Sequence, residues 1–189
     1  MSALSYLIIF GVSIVLGIII FELIIAKRKG IKLYTLSDSI VNLSCGMLER
    51  TFDFFYAVLF LMASNYLYNV VAPFKIPSNP LTFIIALFIF DFLAYWHHRL
   101  SHEINFFWAA HIVHHQSEEL NLTTVLRVSL FAVFNRSLFF IWMPLIGFDA
   151  YTILVCGVIL GLYQFLTHSR LIGKLGFLEI FMTTPSHHR

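Results

Sequence analysis

Residues 95–121 read YWHHRLSHEINFFWAAHIVHHQSEELN, and six of the chain's nine histidines fall between His97 and His115. The stretch follows an apolar run, Leu81 to Trp96, entered from the turn PFKIPSNP. His98 and His102 stand at i, i+4, which puts two imidazoles one turn apart on one helix face. His111, His114 and His115 stand at i, i+3 and i+4, a helical arc of about 100°. A straight helix cannot unite the two sets, because the nine steps from His102 to His111 turn through about 900° and rise roughly 13 Å. If both sets serve one centre, the chain must break between them, and the expected place is Glu103 to Asn105.

Outward from this stretch the chain is strongly apolar. Its 189 residues are 59% hydrophobic and 12% charged, with a mean hydropathy of +0.85, outside the usual range of soluble globular chains. The expectation is an all-α integral membrane bundle of about four to five membrane helices. The segments run from about Ser5 to Ala26, Asp53 to Val71 after a polar lead-in from Ser37, Leu81 to Trp96, Val128 to Phe148, and Ala150 to Thr167. Residues 1–36 read as an N-terminal membrane helix with a basic flank, and residues 37–189 as the main domain. The basic cluster KRKGIK comes after the first segment and no A-x-A site follows, so a retained helix is expected rather than a cleaved signal peptide. Cys45 and Cys156 stand apart in apolar surroundings, which points to packing roles.

Threading the segments alternately puts Lys27, Arg28, Lys29, Lys32, Arg50, Arg99, Arg127, Arg170, Lys174 and Arg189 on one side, with Lys75 opposite. By the positive-inside tendency the first side is cytoplasmic. The same threading brings all nine histidines to that cytoplasmic face, His168, His187 and His188 included. Arg136 lies inside the fourth segment, where a buried arginine costs at least about 2.5–3.5 kcal/mol on insertion scales. Either it faces the bundle interior or a lipid head group, or the stretch Leu120 to Arg136 lies in the interface. Basic residues do not interleave with aromatics, so no nucleic-acid partner is expected.

Neutral imidazole suits zinc, copper, iron or nickel, and a single zinc takes only three or four ligands. More histidines than that are present, so two metal ions are the better count. Asp91, Glu103 and Glu118 lie near enough to orient ligands from behind. The zinc-protease pattern H-E-x-x-H is absent, since Ile104, Asn105 and Phe106 follow His102-Glu103. The plainer alternative is that the histidines are interfacial polar residues at helix ends.

Specific motifs accompany these spacings: D-x-x-x-Y-W-x-H-R-x-x-H at Asp91 to His102, W-x-x-H-x-V-H-H at Trp108 to His115, and S-E-x-x-N-L-T-T-x-x-R at Ser117 to Arg127. F-L-T-H follows at Phe165 to His168 and T-P-S-H-H-R at Thr184 to Arg189. Together they resemble the fatty acid hydroxylase and sterol desaturase superfamily of membrane di-iron oxidases, in particular its alkylglycerol monooxygenase and bacterial sterol-desaturase-like branch. The resemblance covers about Ser37 to the end. Gln116, Leu120 and Val128 depart from it, standing where Ser, Tyr and Gln are expected, and this touches substrate contacts rather than metal. The resemblance also implies a third box, H-x-x-H-H, opening at His188, so a C-terminally truncated chain with impaired metal binding and turnover is expected.

The resemblance implies that His98, His102, His111, His114, His115 and His188 ligate iron, together with His168 and His187, while His97 is a neighbour. It gives Asp91 a place behind a ligand imidazole, and makes Glu118, Asn121 and Arg127 a polar brace or lipid head-group contacts, with Arg136 a further candidate. It implies two iron ions, O2 as co-substrate and an external electron donor, whether cytochrome b5-like, ferredoxin-like or a reductase. The implied reaction hydroxylates or desaturates a sterol, fatty acyl or alkylglycerol lipid. Phe54, Phe55, Phe92 and Phe107 either line an acyl tunnel or pack in the membrane. The competing function is a membrane zinc- or metal-binding protein, acting as hydrolase, carrier or sensor without O2 chemistry.

Overall fold

The computed structural model describes residues 3–180 and 183–188, and within these it gives no side-chain detail for residues 3–10 or for His187. Among the described residues the chain is helical, without strands. Helix α1, Ala3–Arg28, ends at Gly30, whose φ of +68° closes the turn. Helix α2, Leu36–Tyr66, continues through a π turn, Leu67–Val71. Helix α3, Pro80–Glu103, opens on a capping box between Asn79 and Thr82 with Pro80 in the first turn. Helix α4, Asn105–His111, follows after one extended residue, Ile104, at φ −111° and ψ 121°. The break expected at Glu103 to Asn105 is therefore present.

Helices α5, Leu130–Phe140, and α6, Trp142–Leu145, replace the single segment expected from Val128 to Phe148. Pro144 supplies the cause, because it has no N–H for the Phe140 carbonyl and its ring crowds that turn. Helix α7, Ala150–Leu166, is capped by Asp149, whose side chain accepts from the Thr152 N–H at 3.0 Å. A last short helix, α8, spans Pro185–His188.

The turns sort these helices into an antiparallel bundle with two ends. At one end the Ile76 N–H donates to the Gly147 carbonyl at 2.9 Å, and Ser78 Oγ donates to Asp149 at 3.0 Å, which joins the α2–α3 turn to the α6–α7 turn. Gly147 sits at φ +100°, and a Cβ there would lie 2.6 Å from the Phe74 carbonyl oxygen, so only glycine fits this crossing. At the other end lie the histidines. The α5–α6 pair thus runs from the histidine end to the Gly147 end and α7 returns.

Ala86, Phe90, Met143, Phe148, Ile153 and Cys156 form the apolar core where α3, α6 and α7 meet. Phe90 stacks on Phe140 with ring centres 4.2 Å apart. The outer faces are apolar too, with Phe54, Phe55, Phe88 and Phe92 exposed, the pattern of a bundle facing lipid rather than water. Two helices, Leu36–Val71 and Pro80–Glu103, are long and apolar enough to cross a membrane, while Leu130–Leu145 and Ala150–Leu166 are shorter. Phe54, Phe55 and Phe92 are exposed on the outer faces. Phe107 is half-buried and packs edge-on against Phe139.

Candidate metal centre

The break at Ile104 folds α4 back on the end of α3. His98 and His102, one turn apart on α3, come together with Nε2 atoms 3.3 Å apart. His111 reaches the same place from the end of α4, and the ligand nitrogens of His98, His102 and His111 all lie within 4.8 Å of one another. His115 joins their edge, its Nε2 being 3.1 Å from that of His111.

A second group forms beside the first from three distant segments. His114, His168 and His188 bring their ligand nitrogens within 4.8 Å of one another. His168 and His114 approach to 3.0 Å between Nε2 atoms. His168 is buried, and its Nδ1 lies 2.9 Å from the Gln164 carbonyl. A proton on Nδ1 donated to that carbonyl leaves the Nε2 lone pair facing the group, the usual way a protein fixes the tautomer of a ligating histidine. His111 and His114 stack with ring centres 5.5 Å apart, and His98 and His188 lie 5.4 Å apart, so the two groups share a wall.

Electrostatics favours neutral rings. Burial, reinforced by neighbouring imidazoles, pushes His114 down to about 4 and His111 and His168 down to about 2. His115 and His188 are lowered for the same reasons. Neutral imidazoles at pH 7 have lone pairs ready for a cation and release few protons on binding it. All-nitrogen triads suit borderline metals such as iron, zinc or copper, so the residues present fit two metal ions. His187 lies on α8, and its side chain falls outside the described residues. His97 packs edge-on against Phe139 and belongs to neither triad.

The carboxylates and polar residues expected near the site separate in space. Asp91 is exposed on α3 and makes no hydrogen bond to a histidine among the described residues. Glu118 is exposed and borders a cavity of about 270 Å3 with His114, His115, Ser117, Leu120, Thr124 and His188. Asn121 and Arg127 are drawn inward. Asn121 Nδ2 donates to the Leu33 carbonyl at 2.8 Å, and Arg127 pairs with Asp38 at 2.7 Å. Arg136 faces the bundle interior and pairs with Glu49, which is fully buried, at 2.8 Å.

Sequence reasoning gave no role to Glu22, Asp38, Asn42 or Glu49. The readable signal was their setting: Glu22 inside an apolar helix, where an ionisable residue marks a specific partner, and Asp38, Asn42 and Glu49 at helical spacing along α2. Positions 38, 42, 46, 49 and 53 form one stripe of α2, so the lead-in from Ser37 is the first half of a continuous helix and not a separate flank.

The model of the fatty acid hydroxylase family matches residues 83–189, which hold all nine histidines. The chain belongs to this family. It is 34% identical over 177 residues to alkylglycerol monooxygenase of Homo sapiens, covering 92% of this chain and 39% of that protein. The enzyme of Xenopus tropicalis is 34% identical over 172 residues, 90% of this chain and 38% of its own length. That of Danio rerio is 34% identical over 178 residues, 92% and 39% respectively. The chain therefore spans about two fifths of the length of these curated relatives. No solved structure matches it. Family membership joins the membrane character of the helices to the histidine triads.

Proposed function

We propose that the protein is a membrane lipid monooxygenase acting on alkylglycerol-type lipids, with two iron ions held by the two histidine groups. The observation that carries this reading is the pair of triads, His98–His102–His111 and His114–His168–His188, in a chain of the fatty acid hydroxylase family. His115 completes the first set, and His187 is proposed as a further ligand. Iron bound there supplies O2 activation strong enough to oxidise an unactivated C–H bond, which acids, bases and nucleophiles leave untouched.

The chain's own groups have the remaining tasks. The Gln164 carbonyl keeps the proton of His168 on Nδ1, so its Nε2 stays a lone-pair donor. Trp108 packs beside the first group, with its ring centre 5.7 Å from those of His102 and His115, and holds these two rings in place. The cavity bordered by Ser117, Glu118 and Leu120 supports entry of a lipid head group beside His114 and His188, with the apolar chain lying along the helices outside. Electrons arrive from an external donor, cytochrome b5-like, ferredoxin-like or a reductase, at the cytoplasmic end of the bundle.

The test is anaerobic purification of the protein in detergent with its metal content measured, followed by O2-dependent turnover of an alkylglycerol. About two irons per chain and an O2-dependent product are expected. One tightly held zinc with no lipid oxidation would sink the reading in favour of a zinc-binding membrane protein.

A further inference from the structure

We propose that the two metal positions are held in different ways. The His114–His168–His188 position is set by a buried polar lattice on the two N-terminal helices, with Glu22 and Asp38 as its positioning carboxylates, while the other position is set by local helix geometry. The inference rests on the metal-binding reading above and adds residues that lie outside the segment matched by the family model, 83–189.

Glu22 is 3% exposed on an otherwise apolar helix. Burying a carboxylate there is expensive unless donors surround it, and three do. The Leu122 N–H donates to Oε2 at 3.0 Å, Tyr34 Oη donates to the same oxygen, and Ser169 Oγ donates to Oε1. Ser169 directly follows His168, so one side chain on α1 fixes the turn that presents this imidazole. Leu122 belongs to the segment after His114 and His115, so the same carboxylate ties both ligand-bearing segments together.

Asp38 does the corresponding work from α2. It accepts from Arg127 Nη1 at 2.7 Å and from Ser117 Oγ at 2.6 Å, the two ends of the segment that follows His115. Asn42 reaches Thr123 Oγ1 at 3.1 Å. Thr124 and Arg127 in turn set their backbone carbonyls against the His114 ring. Gly46 allows the helix this close, since a Cβ there would meet the Leu126 side chain at 2.8 Å.

The first triad proper, His98, His102 and His111, shows none of this among the described residues, and of its group only His115, at the edge, borders the lattice through Ser117. His98 and His102 take their relation from i, i+4 spacing on α3, and His111 follows from the break at Ile104. The hydrogen bonds that Glu22, Asp38 and Asn42 make beyond their own N-terminal segment all end between Ser117 and Arg127 or on Ser169.

The experiment loads the detergent-solubilised protein anaerobically with Fe2+ and measures retained metal per chain against increasing chelator. Losing an outer partner of a ligand weakens metal binding by about 10–100-fold. Glu22→Leu and Asp38→Leu are expected to release one of the two ions at about 100-fold lower chelator, with the second ion retained as in wild type and helical circular dichroism unchanged. Glu22→Gln, which keeps an acceptor oxygen, should sit between wild type and Glu22→Leu. Should a leucine variant fail to fold, Ser169→Ala, which removes only a hydroxyl, carries the same expectation. A folded variant that keeps both ions at wild-type strength, or loses both together, overturns the inference. Wild-type protein that holds fewer than two ions overturns the metal-binding reading, and this inference with it.

Discussion

An imidazole held away from water binds protons poorly, and at the histidine end several such rings face one another. Burial, with His115 and His188 beside it, pushes His114 down to about 4 in the folded chain, against about 6.5 for an unperturbed histidine. Between those pH values the unfolded chain binds more protons than the folded one, so stability falls with falling pH. The contribution is fully present above about pH 6.5 and is lost progressively as pH drops through 4. His111 and His168, at about 2, extend the loss further into acid. Metal-free protein should therefore unfold at a clearly lower temperature at pH 4.5 than at pH 7.5, a difference that thermal unfolding in detergent would measure. Unchanged melting across that interval would mean that the rings are solvated. Arg136 offers a second residue-scale test. It shares with Arg50, whose Nε lies 2.9 Å from the other carboxylate oxygen, a Glu49 with no exposed surface, so Arg136→Ala leaves a buried carboxylate with one cation instead of two and should destabilise the protein by less than the roughly 3 kcal/mol of a fully broken buried pair. The double variant Arg136→Met with Glu49→Leu should recover most of that loss in denaturant unfolding.

Among the elements, what the sequence made legible follows the reach of each signal. The i, i+4 pair His98 and His102, the impossibility of one straight helix from His102 to His111, and the break at Ile104 all follow from helical arithmetic over a few residues. The start of α7 was readable to the residue from its apolar run, while α3 kept its helical course seven residues beyond Trp96, to Glu103. The split of α5 from α6 is less visible in the sequence, because Pro144 sits inside a continuous apolar run that masks its missing N–H. The lattice of Glu22, Asp38 and Asn42 was not legible, since its partners lie 75 to 147 positions away in sequence and no local period connects them. The convergence of His168 with His114, across 54 positions, has the same character, and only the resemblance put His168 in the ligand set.

Seen whole, the molecule has one end that is polar and densely hydrogen-bonded and another where two turns are stitched together through Gly147. Helix α3 spans the distance between them, about 36 Å at 1.5 Å per residue, enough to cross the hydrocarbon of a bilayer. Single cysteines at Lys32 and Arg170 should therefore react with a membrane-impermeant maleimide from one side of sealed vesicles, and a cysteine at Lys75 from the other. Labelling of all three from a single side would contradict a crossing bundle and the cytoplasmic placement of the metal site. The apolar core of Phe90, Met143, Ile153 and Cys156 sits away from the ligands, toward the Gly147 end. Stability is then unevenly divided, and the two regions can open as separate cooperative units. In hydrogen exchange, amides around Ile153 to Leu160 should remain protected when metal is withdrawn, while those from Ser117 to Arg127 exchange faster. Loss of metal would loosen one end of the protein without melting the other, so the emptied protein would keep a scaffold on which the site can be rebuilt.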